Sequence, residues 1–203
     1  QIGLSWSGLS ILSPWIIFFI IFFHYKRIRL TDFKVQMKLS LVDKTFVFLI
    51  FILLAYVGFE ALLRPLYAWD GWAIWVLKGK MFYIDGFVNP NVYHILKEGY
   101  PYVVNLAISF IYLVLGRADD RVVLLLFYIF YLMVSLQFFN ISRVYIGRTK
   151  ALLFTFLFMS LQNIIRHGGR YEAGYADLAL GFYIFLSVSL LIEYIKLKNY
   201  KLL

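Results

Sequence analysis

Residues 45–63 read TFVFLIFILLAYVGFEALL, an apolar run in which Glu60 is the one charged residue, and this run decides the fold class. A helix that crosses a bilayer needs about 20 apolar residues, and this stretch nearly supplies them. The whole chain has the same character: of 203 residues, 63% are apolar and 15% charged. A soluble domain of this size could not hide so much apolar surface in one core, so the bilayer is expected to be part of its solvent. The net charge of +9 does not point to nucleic acid, because Lys and Arg sit in short runs between apolar stretches. The lack of Cys excludes disulfides and Cys-ligated metal. The chain opens at Gln1 without a basic leader and stops just past an apolar segment, at Lys201-Leu202-Leu203. It reads as one transmembrane domain, 1–203, taken from a longer protein.

Working outward from 45–63, further apolar stretches run over 4–23, 102–116, 122–140, 151–165 and 174–195. The stretch 102–116 is short, and 151–165 reaches span length only through Gln162 and Asn163. If all six cross, Lys and Arg divide evenly between the two sides. If 102–116 stays on one side, residues 24–44, 141–150 and 196–201 share a face that holds twelve of the twenty positive charges. Only the second threading obeys the positive-inside rule. The expected fold is therefore an all-α integral membrane protein with about five transmembrane helices. Its long outer loop, 64–121, and a short one, 166–173, bring Asp70, Glu98 and Asp177 to the same outer surface.

Within the long loop, Trp69, Trp72 and Trp75 recur at three-residue spacing, which lines them along one face of a helix over about 71–83. An aromatic-rich amphipathic helix beside a membrane exit is expected to lie flat at the headgroup level. Asp70 stands at its start and Asp177 at the start of the last apolar segment, where each could cap a helix N-terminus. Each could equally be a carboxylate held at the membrane edge for chemistry. Lys78, Lys80, Arg166 and Arg170 lie beside these acids in the chain and could grip a phosphate or contact headgroups. Lys78 and Lys80 fall about 200° apart around a regular helix, so they do not both face one phosphate. Glu60 and Arg64 have the spacing of a helical ion pair. His167, Glu172 and Asp177 fall five apart, a spacing with no known ligand pattern, so a divalent metal stays an open alternative.

The order of short motifs is more specific than any one of them. It runs Trp69-Asp70-Gly71-Trp72-Ala73-Ile74-Trp75, Lys78-Gly79-Lys80, Glu98-Gly99-Tyr100-Pro101, then Gly174-Tyr175-Ala176-Asp177-Leu178. Over about 45–195 this resembles the amino-terminal part of the C-type polytopic membrane glycosyltransferases, the branch similar to protein O-mannosyltransferases and lipid A aminoarabinose transferases. The resemblance implies a catalytic acid in the first outer loop, matched by Asp70, and a second carboxylate in the next, matched by Asp177. Glu98 matches an acid just before a Pro. Gly71 follows Asp70 where a bidentate metal motif would have a second acid.

The reaction so implied moves a sugar from a polyprenyl-phosphate carrier to an acceptor at the outer face of the cell membrane, with inversion. A lipid-linked sugar and membrane lipids are the partners, and Lys78, Lys80, Arg166 and Arg170 steady the departing phosphate. The rival reading is a transporter or lipid flippase. It needs charged residues near the middle of spans, where this chain has only uncharged Asn105, Gln162 and Asn163.

Overall fold

The computed structural model describes residues 39–88, 99–170 and 172–197, together with 16, 17, 20, 91 and 97. Among them the chain is all-helical, without a strand. Most of the stretch 4–23 lies outside the described residues, as does Glu98.

The first long helix, α1 (Leu41–Leu63), begins where Ser40 and Asp43 close a reciprocal capping box. It ends at Arg64, whose backbone turns extended because Pro65 follows. A π-helical turn, Gly71–Val76, then runs straight into α2 (Leu77–Asp85). Next come α3 (Val103–Leu115), stopped by Gly116 at φ +67, and α4 (Asp120–Ile146), opened by the Asp119 side chain accepting from the Arg121 N–H. The chain continues through α5 (Arg148–Met159), α6 (Gln162–Gly169) and α7 (Asp177–Leu197). Two of these helices, α1 and α4, are long and apolar enough to cross a membrane.

The expected spans at 45–63 and 122–140 thus fall inside single helices. The expected span at 151–165 does not. Helix α5 stops at Ser160, whose Oγ donates to the Phe156 carbonyl at 2.7 Å, and Leu161 turns extended before α6 restarts. A hydroxyl that can serve the backbone locally, followed by polar Gln162 and Asn163, favours a break over a continuous rod. Twelve residues of α5 rise only about 18 Å. Helix α3, with thirteen residues, rises about 20 Å and is likewise too short to cross upright.

The chain divides into two compact units. In the unit that contains Lys78–Ala118, α2 lies on α3. Gly79 makes this possible, since a Cβ there would come within 2.7 Å of Ile108 Cγ2 and 2.9 Å of the Asn105 carbonyl oxygen. Phe82 faces Tyr102, and Tyr83 faces Tyr112.

The other unit, Ser40–Leu77 with Asp119–Leu203, is a bundle built around α4, which packs against α1, α5, α6 and α7. Contacts along the helices give their directions. Gly58 meets Tyr128, whereas Val47 and Phe139 line the same cavity further along, so α1 and α4 are antiparallel. Helix α5 starts beside Asp43 at the beginning of α1. One end of this bundle therefore carries Glu60, Asp70, Arg166 and Asp177, and the other carries Asp43, Arg143, Arg148 and Lys150.

Asp43 fastens that second end. Its carboxylate is buried and accepts from the Ser40 N–H at 3.1 Å, from Arg148 at 2.7 Å and from the Thr149 hydroxyl at 2.7 Å. An amide at this position would keep the shape and lose the charge-assisted bonds. Asp43→Asn is expected to lower the melting temperature in detergent by roughly 5 °C, read by circular dichroism. An unchanged transition would show that the Asp43–Arg148 contact contributes nothing to holding α1 against α5.

Candidate functional site

The site end of the bundle is assembled by a backbone crossing between two glycines. The chain leaving α1 passes Pro65 and reaches Gly71, and the turn before α7 reaches Gly174 at the same place. A Cβ on Gly174 would lie 3.0 Å from Gly71 Cα, and one on Gly71 would lie 3.3 Å from Gly174 Cα. Gly174 also holds φ +114, a conformation that side chains rarely tolerate. Below this crossing Ala61, Leu124 and Ala173 form a small apolar core with Leu66, Leu125 and Tyr128 packed on it. The glycines thus bring residues 70 and 175 together.

Asp70 enters the π-helical turn with ordinary helical backbone angles and makes no capping hydrogen bond. The capping role is therefore overturned: the helical hydrogen bonds already begin at Trp72, whose N–H reaches the Ala68 carbonyl, so the Asp70 carboxylate sits within the helix rather than before it. Wide i→i+5 turns of this kind are rare and recur at functional sites. The π turn also corrects the tryptophan stripe. Trp69 and Trp72 are more than half exposed and meet edge to face at 6.1 Å, but Trp75 is buried. A wider helix rotates less per residue, so positions three apart separate and the third ring turns inward.

Tyr175 lies in the turn that carries Gly174, half-buried just before α7. Burial pushes its phenol above the ordinary value, and the carboxylates of Asp70, Glu172 and Asp177 push the same way, against a backbone hydrogen bond at Asp70 that pulls it down. The hydroxyl therefore stays protonated at neutral pH. Its ring lies 5.8 Å from that of His167. The Gly71–Gly174 crossing thus sets Asp70 and Asp177 at one end of the bundle although they are far apart in the chain. Asp177 itself is exposed in the first turn of α7, with Ala176 in the capping place, since the Ala176 carbonyl accepts from Leu180 N–H at 2.8 Å.

The expected phosphate ligands fare differently. Arg166 pairs with Glu172, and His167 Nε2 lies 3.3 Å from the other Glu172 oxygen. Arg170 approaches Glu60 at 3.4 Å and stands over the Tyr56 ring at 5.7 Å. Glu60 also takes Arg64, the helical pair that the spacing indicates. Lys78 is buried in the other unit, where its Nζ donates to the Lys97 carbonyl at 3.2 Å, so its ammonium already serves the chain's own backbone. Lys80 is half-buried on α2. Glu98 lies outside the described residues. Among the described residues no three His, Asp or Glu side chains gather as a metal ion would require.

Position and spacing in the sequence single out neither Tyr175 nor a partner for Glu172. A polar aromatic between Gly174 and Asp177 was the available signal for the first. The Glu172 contacts depend on where α6 ends, which has no local mark. Chemically the end of the bundle offers a half-buried carboxylate, a protonated phenol and guanidinium groups held by acids. Comparison with family models, with curated proteins and with solved structures returns no match for this chain.

Proposed function

We propose that this chain is the amino-terminal part of a multi-pass membrane glycosyltransferase that uses a polyprenyl-phosphate sugar, with its site at the outer face. The reading is carried by one observation: the backbones cross at Gly71 and Gly174, which sets Asp70 and Asp177 at the same end of the bundle as the Arg166–Glu172 and Arg170–Glu60 pairs. The apolar lengths of α1 and α4 support placing that end at a bilayer surface. About five spans are proposed, with α3 remaining on the outer side.

In the reaction, Asp70 takes the proton of the acceptor hydroxyl as the acceptor oxygen bonds to the anomeric carbon. The bond from that carbon to the phosphate oxygen breaks, and its electron pair leaves with the lipid phosphate. The sugar passes through an oxocarbenium-like state, by analogy with glycoside hydrolysis. Arg166 and Arg170 stabilise charge on the departing phosphate. One displacement inverts the anomeric centre. A divalent metal is not required by this scheme.

The second reading is a transporter or lipid flippase, and one feature favours it. A cavity of about 200 Å³ opens between α1, α4 and α5, lined by Leu54, Leu136, Leu152 and Met159, with Ser135 and Thr155 as its polar members. It takes second place because no charged residue lines it, whereas the acids and arginines collect at the bundle's end.

Two measurements test the proposal. The full-length protein, given a radiolabelled polyprenyl-phosphate sugar and a membrane extract as the source of acceptor, is expected to release the lipid phosphate and pass the label to the acceptor. In intact cells, single cysteines at Tyr67 and Ala176 are expected to react with an impermeant maleimide from outside, and one at Val144 is not. Reaction at Val144 with silence at the other two would place Asp70 and Asp177 inside and end the proposal.

A further inference from the structure

Glu172 is held at two points, with each carboxylate oxygen on a different side chain. Arg166 donates to Oε1, and His167 Nε2 lies 3.3 Å from Oε2. A guanidinium and an imidazole gripping two oxygens of one anion is also how these groups would take a phosphate. Both sit in the last turn of α6, where the partial negative charge of the helix end favours cationic side chains. Their position is set by the helix. That of Glu172 is not, since it lies half-buried in the turn between α6 and α7.

Glu60 offers the contrast. It too is shared by two guanidiniums, of Arg64 and Arg170, but it is fixed within α1 and cannot withdraw from them. The His167 ring points the same way as the geometry of Glu172. Its Nδ1 is buried without a hydrogen-bond partner among the described residues, so the contact at Nε2 with Glu172 is the polar contact that steadies the ring.

We propose that Arg166 and His167 form a cradle for a phosphate group, and that the Glu172 carboxylate fills it until a phosphate displaces it. This rests on the reading of the site as one for a phosphate-linked carrier. It names the pair that grips the anion and the residue that competes with it. The competition has a use: a carboxylate tethered beside the cradle returns to it and helps expel the spent lipid phosphate, so the enzyme is not held by its own product.

The test is the affinity of the full-length protein in detergent for inorganic pyrophosphate and for geranyl phosphate, by calorimetry. Glu172→Gln is expected to tighten binding about tenfold, the factor for a competitor that fills the cradle about nine-tenths of the time. Arg166→Gln is expected to weaken it about tenfold, alone or with Glu172→Gln. Asp120→Asn removes a carboxylate in the first turn of α4 that the cradle does not hold, and is expected to change affinity less than twofold. Equal gains for the two probes assign the cradle to phosphate as such, and a gain for geranyl phosphate alone assigns it to a lipid-borne phosphate. No gain in Glu172→Gln, or the same gain in Asp120→Asn, overturns the proposal. Glu172→Ala replaces the first variant if that one fails to fold. Tighter binding in a protein that transfers no sugar would keep the cradle and remove the transferase reading. Intact transfer with unchanged affinity would do the reverse.

Discussion

Asp70→Asn is expected to cost between about a hundredfold and ten-thousandfold in sugar transfer while leaving the protein folded. The substitution keeps the side chain's size and removes its charge, and the charge is what a base needs. Nothing in the local fold depends on it, because Asp70 makes no capping bond and the first helical hydrogen bonds run between backbone groups. A change in melting temperature beyond a degree or two would mean that the carboxylate has a structural role. The decisive measurement is the initial rate with a saturating lipid-linked donor, beside a thermal unfolding curve for the same preparation. Wild-type transfer by Asp70→Asn would remove this residue from the chemistry and leave Asp177 as the base. Asp70→Glu gives a further reading, since a base displaced by one methylene should retain part of the rate.

Gly169→Ala is expected to have the largest effect on stability, about 1–3 kcal/mol, with transfer lost as a consequence. A Cβ on Gly169 would stand 2.6 Å from the Val57 carbonyl oxygen, 3.0 Å from Val57 Cγ1 and 3.2 Å from Ala61 Cβ. The first of these is backbone and cannot rotate away, so α6 must move off α1. Arg166 and His167 ride on the same short helix, and Arg170 follows it directly, so the groups facing Glu172 and Glu60 move with it. Gly181→Ala is the control. It sits in α7 with nothing within 4 Å of the added atom, and alanine is the better helix former, so it is expected to be neutral or slightly stabilising. Equal unfolding temperatures for Gly169→Ala and the wild type would show that α6 does not lie this close to α1.

Much of the architecture was legible because its causes are local. The run at 45–63 becomes α1, and Ser40, Asp43 and Pro65 mark its ends within a few residues of it. The Glu60–Arg64 pair follows from helical spacing alone. The shared end of Asp70 and Asp177 was legible less directly, through the uneven placement of Lys and Arg. The break at Ser160 was visible only as a weakness, two polar residues at the edge of a short run. The capping role for Asp70 and the single tryptophan face both assumed an ordinary α-helix from residue 71, and the π turn removes that assumption.

The sequence by itself determined which segments are helical and where most of them stop, because apolar runs, caps, prolines and glycines act on their own neighbours. Only the tertiary structure decided that the Tyr175 ring meets His167, and that Arg166 and His167 hold Glu172. Those contacts depend on backbones that approach at Gly71 and Gly174 and at Val57 and Gly169. Such approaches join residues about a hundred positions apart. A glycine allows one without naming its partner, so the chemistry of this end of the bundle comes from packing rather than from any motif.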